Sequence, residues 1–261
     1  MQLKICPSPA ADVVLTQYSE ASFPLFSAFI AGLDASSPLR SLVSDPKELA
    51  VSVVLENRSQ QAITGLRYRW GVLDQSGNRR NRICSNDSYL VDVYQPILEP
   101  ASRQLISPSG SLNESLIEHA RAGGGVIGGF IKSNMERLLP TTFDIDLIVF
   151  ADGEIAGPDP DHFAAELKCR KPAAEFVARQ IRLAADEGRD VAPVLSALWM
   201  IPSLSSHGHG KPDPLVYWTK HYARQYLGYL RRKAGDLDMR EAGLRHLENR
   251  PVLPKFFRRV Q

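Results

Sequence analysis

The sequence predicts an α+β chain in which an antiparallel β part comes first and an α-helical region follows. Two periodicities carry this reading. From about residue 48 to Ala156 apolar residues recur at every second position, and after residue 160 they recur at every third or fourth. Composition is the third support: 261 residues, 44% of them hydrophobic, can furnish the core of one large domain or two modest ones. The break between the two regimes falls near Gly157.

In ELAVSVVLENRS, Leu49, Val51, Val53 and Leu55 lie on one face of an extended chain, the pattern of a half-buried strand. Asn57 to Gln61 reads as a turn. Leu66, Tyr68, Trp70 and Val72 then alternate with Arg67, Arg69 and Gly71, and Asp74 to Asn78 has the residues of a tight reversal. NRICSNDSYLVDVY and QPILEPASRQLISP read as further strands, with Pro96 and Pro100 confining them to edges and boundaries. Residues 107–142 interrupt the pattern with a short helix predicted over Glu114 to Arg121 and five glycines between Gly123 and Gly129. Alternation resumes at Phe143, Ile145, Leu147 and Val149, and Asp152-Gly153 signals a hairpin with Glu154 to Ala156 as its short return.

The helical region opens at PDPDHF, where Asp159 is expected to cap a helix with Pro160 at its first position and Asp161 facing the helix dipole. Ala173, Phe176, Val177, Gln180, Ile181 and Ala184 make one apolar stripe; Val191, Val194, Leu195, Leu198 and Trp199 make another. Residues 202–214 form a loop. Further helices are predicted from Leu215 to about Lys233 and from about Asp238 to Asn249.

The strand over AVSVVLENRS, the Asn-containing turn, the Trp-bearing strand of GLRYRW, the Pro-marked ILEPASRQLISP and the closing FDIDLIVFADGEIAG together resemble a bacterial immunoglobulin-like or fibronectin-III-like β-sandwich of uncharacterised intracellular proteins. The resemblance covers about 110 residues and implies architecture alone, because sandwiches host unrelated functions. The expected organisation is an N-terminal extension over 1–45, an immunoglobulin-like sandwich over 46–157 with its Gly-rich insertion at 107–142, and a helical region over 158–261 ending in a basic tail.

The chain carries 31 Lys plus Arg against 29 Asp plus Glu, a net charge of +2, so whole-chain charge selects no partner. The charge is segregated, however: residues 214–261 hold 11 cationic against 4 acidic side chains, +7, and the remainder 20 against 25, −5. Cys6, Cys84 and Cys169 are odd in number, far apart and without a Cys-x-x-Cys pair, which reads as reduced thiols in a reducing compartment. The apolar stretch at 21–33 lacks the basic lead of a secretory signal, and no run approaches the roughly 20 residues that span a bilayer. A cytoplasmic protein is expected, with no membrane partner, and the Asn-x-Ser patterns at Asn57, Asn86 and Asn113 are accidental on that reading.

Four motifs invite chemistry. AGGGVIGGFIKS at 122–133 resembles a phosphate loop, but Phe130 and Ile131 separate Gly129 from Lys132. His207 and His209 offer two imidazoles where divalent sites use three or four ligands, with Asp213 as a possible third. Ser107 to Ser111 lacks the nucleophile elbow. Asp152, Glu154, Asp159, Asp161 and His162 crowd one segment, yet turn and cap roles account for the aspartates. No catalytic residue, metal ligand or cofactor is therefore expected. Trp218, Tyr222, Tyr226 and Tyr229 follow helical spacing as a core stripe, and Arg231, Arg232 and Lys233 close that helix.

The function expected from these features is a non-enzymatic interaction or assembly module for a protein partner or a second copy, with Phe256, Phe257, Arg258, Arg259, Arg231, Arg232 and Lys233 as its partner-binding residues. The alternatives are a nucleic-acid-binding protein using the basic C-terminal helices and tail, and a metal-dependent enzyme built on Asp159 to His162 with His207 and His209.

Overall fold

Strand and helix follow the two periodicities, with corrections that trace to local geometry. The computed structural model describes residues 3–31, 46–88, 96–108, 110–113, 139–202, 213–232, 237–250 and 253–258. It is a mixed α+β structure whose contacts form two compact units. One comprises Met1–Asp87, Pro96–Asp159 and Phe256–Gln261; the other comprises Ser88–Gln95 and Pro160–Lys255.

The first unit holds two sheets. In one, β1 (Lys4–Ile5), β8 (Leu139–Phe150), β4 (Ile63–Leu73) and β5 (Arg79–Asp87) lie in that order, and β9 (Ile155–Ala156) also pairs with β8. In the other, β2 (Val13–Gln17), β3 (Val53–Asn57), β6 (Arg103–Ser107) and β7 (Gly110–Asn113) follow one another. Among these nine described strands the pairings are antiparallel except β1 on β8. Of the residues expected as an N-terminal extension, β1 and β2 are built into these sheets. Val13, Val53, Leu55 and Ile106 of one sheet and Leu66, Tyr68, Trp70 and Phe143 of the other share a single apolar core. Trp70 is fully buried at its centre, with its ring 4.7 Å from that of Phe143.

The expected strand beginning near residue 48 is instead a short helix, α2 (Pro46–Ala50), with β3 starting at Val53. Proline suits a first helical position, and Ser52 Oγ donates back to Glu48 O at 2.8 Å to close the turn. Leu49 consequently joins Phe26 and Phe29 of α1 (Phe23–Ala31) in a smaller cluster on Val54 and Leu105. Both faces of the β3/β6 pair are therefore buried.

A second correction concerns β8. Phe143 and Ile145 face the core as expected, but Ile148 and Phe150 replace Leu147 and Val149 beyond them. The register explains the switch: Tyr68 opposes Ile145 and Arg67 opposes Leu147, so Asp146 is an extra residue that flips the parity of the strand.

The helical unit contains α3 (Phe163–Asp186), α4 (Val191–Met200), α5 (Pro214–Arg232) and α6 (Leu237–Glu248). Ala173, Ala174, Val177, Ala178 and Ile181 give α3 a low-relief face against which the large Trp218, Tyr222 and Tyr226 of α5 pack, with Leu195, Leu244 and Leu247 closing the cluster. The aromatic stripe expected on α5 is core at these three positions; the side chain of Tyr229 lies outside the described residues. Asp190 caps α4 by accepting from Ala192 N, and Asp213 caps α5 by accepting from Leu215 N at 2.8 Å. Arg182 bridges Glu241 and Glu248, linking α3 to α6.

Candidate functional site

The acidic segment 148–163 resolves into backbone architecture. Asp152 Oδ1 accepts from Glu154 N at 2.9 Å and Gly153 takes φ 94°, which is the hairpin the Asp-Gly pair implies. Asp159 does not cap α3. The helix starts at Phe163 with His162 at its N-cap, φ 58°, and no side-chain cap bond. Asp159 instead adopts φ 49° and donates its N–H to Asp146 O at 3.0 Å. That carbonyl belongs to the extra residue of β8, whose carboxylate is ion-paired with Arg69 at 2.9 Å and almost wholly buried. The bulge thus has a partner on both its side chain and its main chain, and residues 157–159 fold back over it.

Among the described residues no three His, Cys, Asp or Glu side chains are grouped to hold a metal. His207, His209, the predicted helix at Glu114 to Arg121 and the glycine-rich 122–133 lie outside the described residues. The three cysteines are free thiols. Burial first, then neighbouring carboxylates, pushes two of them up: Asp144 acts on Cys6, and Asp213 with Glu166 on Cys169, which keeps both in the weakly nucleophilic thiol form. Among the described residues no helix is long and apolar enough to cross a membrane.

The helical unit concentrates cations on aromatic rings. The guanidinium of Arg170 stands 4.2 Å from the Trp218 ring centroid and that of Arg250 stands 4.9 Å from Tyr222, and both arginines are buried. Glu166 is 3.8 Å from Arg170, and Lys171 Nζ donates to Arg250 O. Next to Trp218 and Tyr222, His221 keeps a solvent-exposed edge. Burial of the rest of its ring, then Arg170, Arg250 and Arg224, hold its pKa below the ordinary histidine value.

Outside this core lies a surface that the sequence reading missed. Tyr217, His221 and Arg224 follow one another along the outer face of α5, with the Tyr217 and His221 rings stacked 6.5 Å apart. Arg224 lies 5.9 Å from the ring of Trp199 near the end of α4, and Lys220 Nζ donates to Ile201 O at 3.0 Å. Trp199 is 42% exposed, Tyr217 47% and Met200 73%. Trp199 was expected on an inner stripe, yet Leu195 is the one residue of α4 that is fully buried. The available signal was the helix itself: VAPVLSALWM is apolar all round, more than one buried face can absorb. A separate groove of about 870 Å³ opens among α3, α4, α5 and α6, floored by Ile181, Tyr226 and Leu230 and rimmed by Arg182, Arg189, Asp190 and Glu241.

The tail docks on the first unit through its main chain. Phe257 N donates to Gly153 O at 3.0 Å and Phe257 O accepts from Ile155 N at 2.9 Å, while Arg258 donates to Gly157 O. Phe256 is half-buried and Phe257 is 46% exposed. Arg231 and Arg232 form the last turn of α5 with side chains outside the description, and Lys233 and Arg259 lie outside the described residues. Of the expected partner-binding residues, the described side chains are those of Phe256, Phe257 and Arg258. Comparison of the chain with protein-family models, with curated proteins and with solved structures gives no match.

Proposed function

We propose that this protein is a non-enzymatic interaction module, in which an immunoglobulin-like β-sandwich forms one body and the helical unit presents a binding surface to a protein partner. What supports the sandwich reading is the shared core of the two sheets together with the strand order. β3 neighbours β6 and β4 neighbours β8, so the chain crosses between sheets repeatedly, as Greek-key sandwiches do. The observation that carries the interaction reading is the exposure of Trp199, with Arg224 5.9 Å from its ring, and of Met200 and Tyr217 on the same two helices, α4 and α5. Exposed tryptophan, tyrosine and arginine are the residue types that dominate binding energy at protein interfaces. Phe257, held by its backbone at the β8–β9 hairpin, adds a second exposed anchor on the other unit.

The test is site-specific photo-crosslinking in the native host, with a benzophenone amino acid at Tyr217 and, as control, at the exposed Arg179 on α3. A discrete protein adduct from position 217 and none from position 179 supports the reading. Equal labelling from both, or none from either, contradicts it.

The second reading, nucleic-acid binding, is favoured by the +7 charge of residues 214–261. Phosphate contacts release counterions, so it requires an affinity that falls steeply with salt.

A further inference from the structure

Resting on the interaction reading, we infer that the stripe formed by Trp199, Met200, Tyr217, Lys220, His221 and Arg224 receives a short acidic, amphipathic segment of a protein partner. Apolar anchorage comes from Trp199, Met200 and Tyr217, each of which is exposed. Charge selects the partner. Lys220 and Arg224 flank the rings, and Arg170 and Arg250 stand behind them on Trp218 and Tyr222. Among the described residues, Glu166 lies 3.8 Å from Arg170 and Asp213 is engaged as the cap of α5. Arg224 has no carboxylate partner among the described residues and lies over Trp199 instead. A carboxylate arriving at Arg224 would gain a charge-assisted bond next to apolar surface, where such bonds are strongest.

The surface is also ordered before binding. Lys220 is tied to Ile201 O, the Arg224 guanidinium lies 5.9 Å from the Trp199 ring centroid, and the Tyr217 ring stacks on that of His221. Fixed rotamers reduce the entropy lost on association. Tyr217 and Arg224 are seven residues apart, about 10 Å along a helix at 1.5 Å per residue. That length matches two turns of a partner helix or three extended residues, so a short linear segment suffices. A stabilising Arg–Trp stack with no ligand would explain the same contacts, but it would leave binding indifferent to acidic residues in the probe.

Three fluorescein-labelled probes on the full-length protein separate these cases: a peptide of Glu, Asp, Leu and Phe in a helical amphipathic order, the same peptide with Gln and Asn for the acids, and single-stranded oligothymidylate. The acidic peptide is expected to bind saturably, at least about tenfold tighter than the neutral one. Arg224→Glu and Tyr217→Ala are each expected to weaken it by about tenfold or more while unfolding stays cooperative and the melting temperature falls by no more than a few degrees. Equal binding of the two peptides, binding of oligothymidylate alone, or no binding by the acidic peptide overturns the inference. If the crosslink at position 217 persists in any of those outcomes, the interaction reading stands and only the acidic partner falls.

Discussion

Asn57 ends β3 fully buried, and its replacement by Ala gives a sharp test of how the β unit turns its corner. Its Nδ2 donates to Gln61 O at 2.8 Å, Leu98 O at 3.3 Å and Glu99 O at 3.2 Å, and its Oδ1 accepts from Ser59 N and Ser59 Oγ. Truncation does not orphan the carbonyls. Gln61 O keeps Ser59 Oγ, Leu98 O keeps Ile63 N, and Glu99 O keeps Ser102. The group left without an acceptor is the Ser59 N–H. At about 0.5–1.5 kcal/mol net per lost bond and about 1–3 kcal/mol for an orphaned buried donor, with the carbonyls spared, Asn57→Ala is expected to cost about 2–4 kcal/mol. Urea unfolding followed by tryptophan fluorescence measures it as a lower midpoint at unchanged slope, with the exposed Gln60→Ala as control, expected within about 0.5 kcal/mol of wild type. A loss below about 1 kcal/mol for Asn57→Ala would refute the reasoning. The same burial means that Nδ2 of Asn57, though in an Asn-x-Ser pattern, has no room for a glycan in the folded chain.

Gly157 sits at φ 112°, and a Cβ there would lie 2.5 Å from Asp146 O, so Gly157→Ala is expected to cost more than about 2 kcal/mol; an unchanged midpoint would contradict it. His221 should titrate by NMR below about 6.5, the ordinary histidine value. Because its folded pKa is depressed, the linked stability is present above the unfolded pKa and is lost as pH falls toward the folded one. Arg224→Gln should move the midpoint up in part, since burial is the first cause and remains; no movement would remove Arg224 from the cluster. Deleting residues 256–261 removes the two main-chain bonds of Phe257 and the guanidinium bond of Arg258 to Gly157 O, an expected loss of about 1–3 kcal/mol with cooperativity kept. A loss near twice that would place the tail in the core.

Much of the fold was legible where periodicity is strict. Leu66, Tyr68, Trp70 and Val72 face the core as their alternation implies, and Asp152-Gly153 makes its hairpin because both local preferences agree. The errors fall where one residue changes the parity or a cap has a rival. In the alternating pattern Asp146 reads as an outward polar residue, although it is buried against Arg69, and nothing in the sequence marks it as the bulge that turns Leu147 and Val149 away from the shared core. Asp159 has the composition of an N-cap, but the accepting carbonyl of Asp146 draws its N–H into a left-handed turn, and the helix begins four residues later. The surface stripe was hidden for a different reason. Arg224, on the outer face of α5 that also carries Tyr217 and His221, meets Trp199 only when α4 packs against α5, and a one-dimensional pattern assigns tryptophan to the core by default.

The most direct test of the interaction module is the affinity of the partner crosslinked at position 217 for wild type and for the Trp199→Ala/Tyr217→Ala double variant, measured with the full-length chain. The expected result is a Kd at least about tenfold weaker for the variant, with its unfolding free energy lowered by no more than about 2–3 kcal/mol and cooperativity kept. Equal affinity for the two proteins would contradict the claim that this helical surface is where the protein does its work.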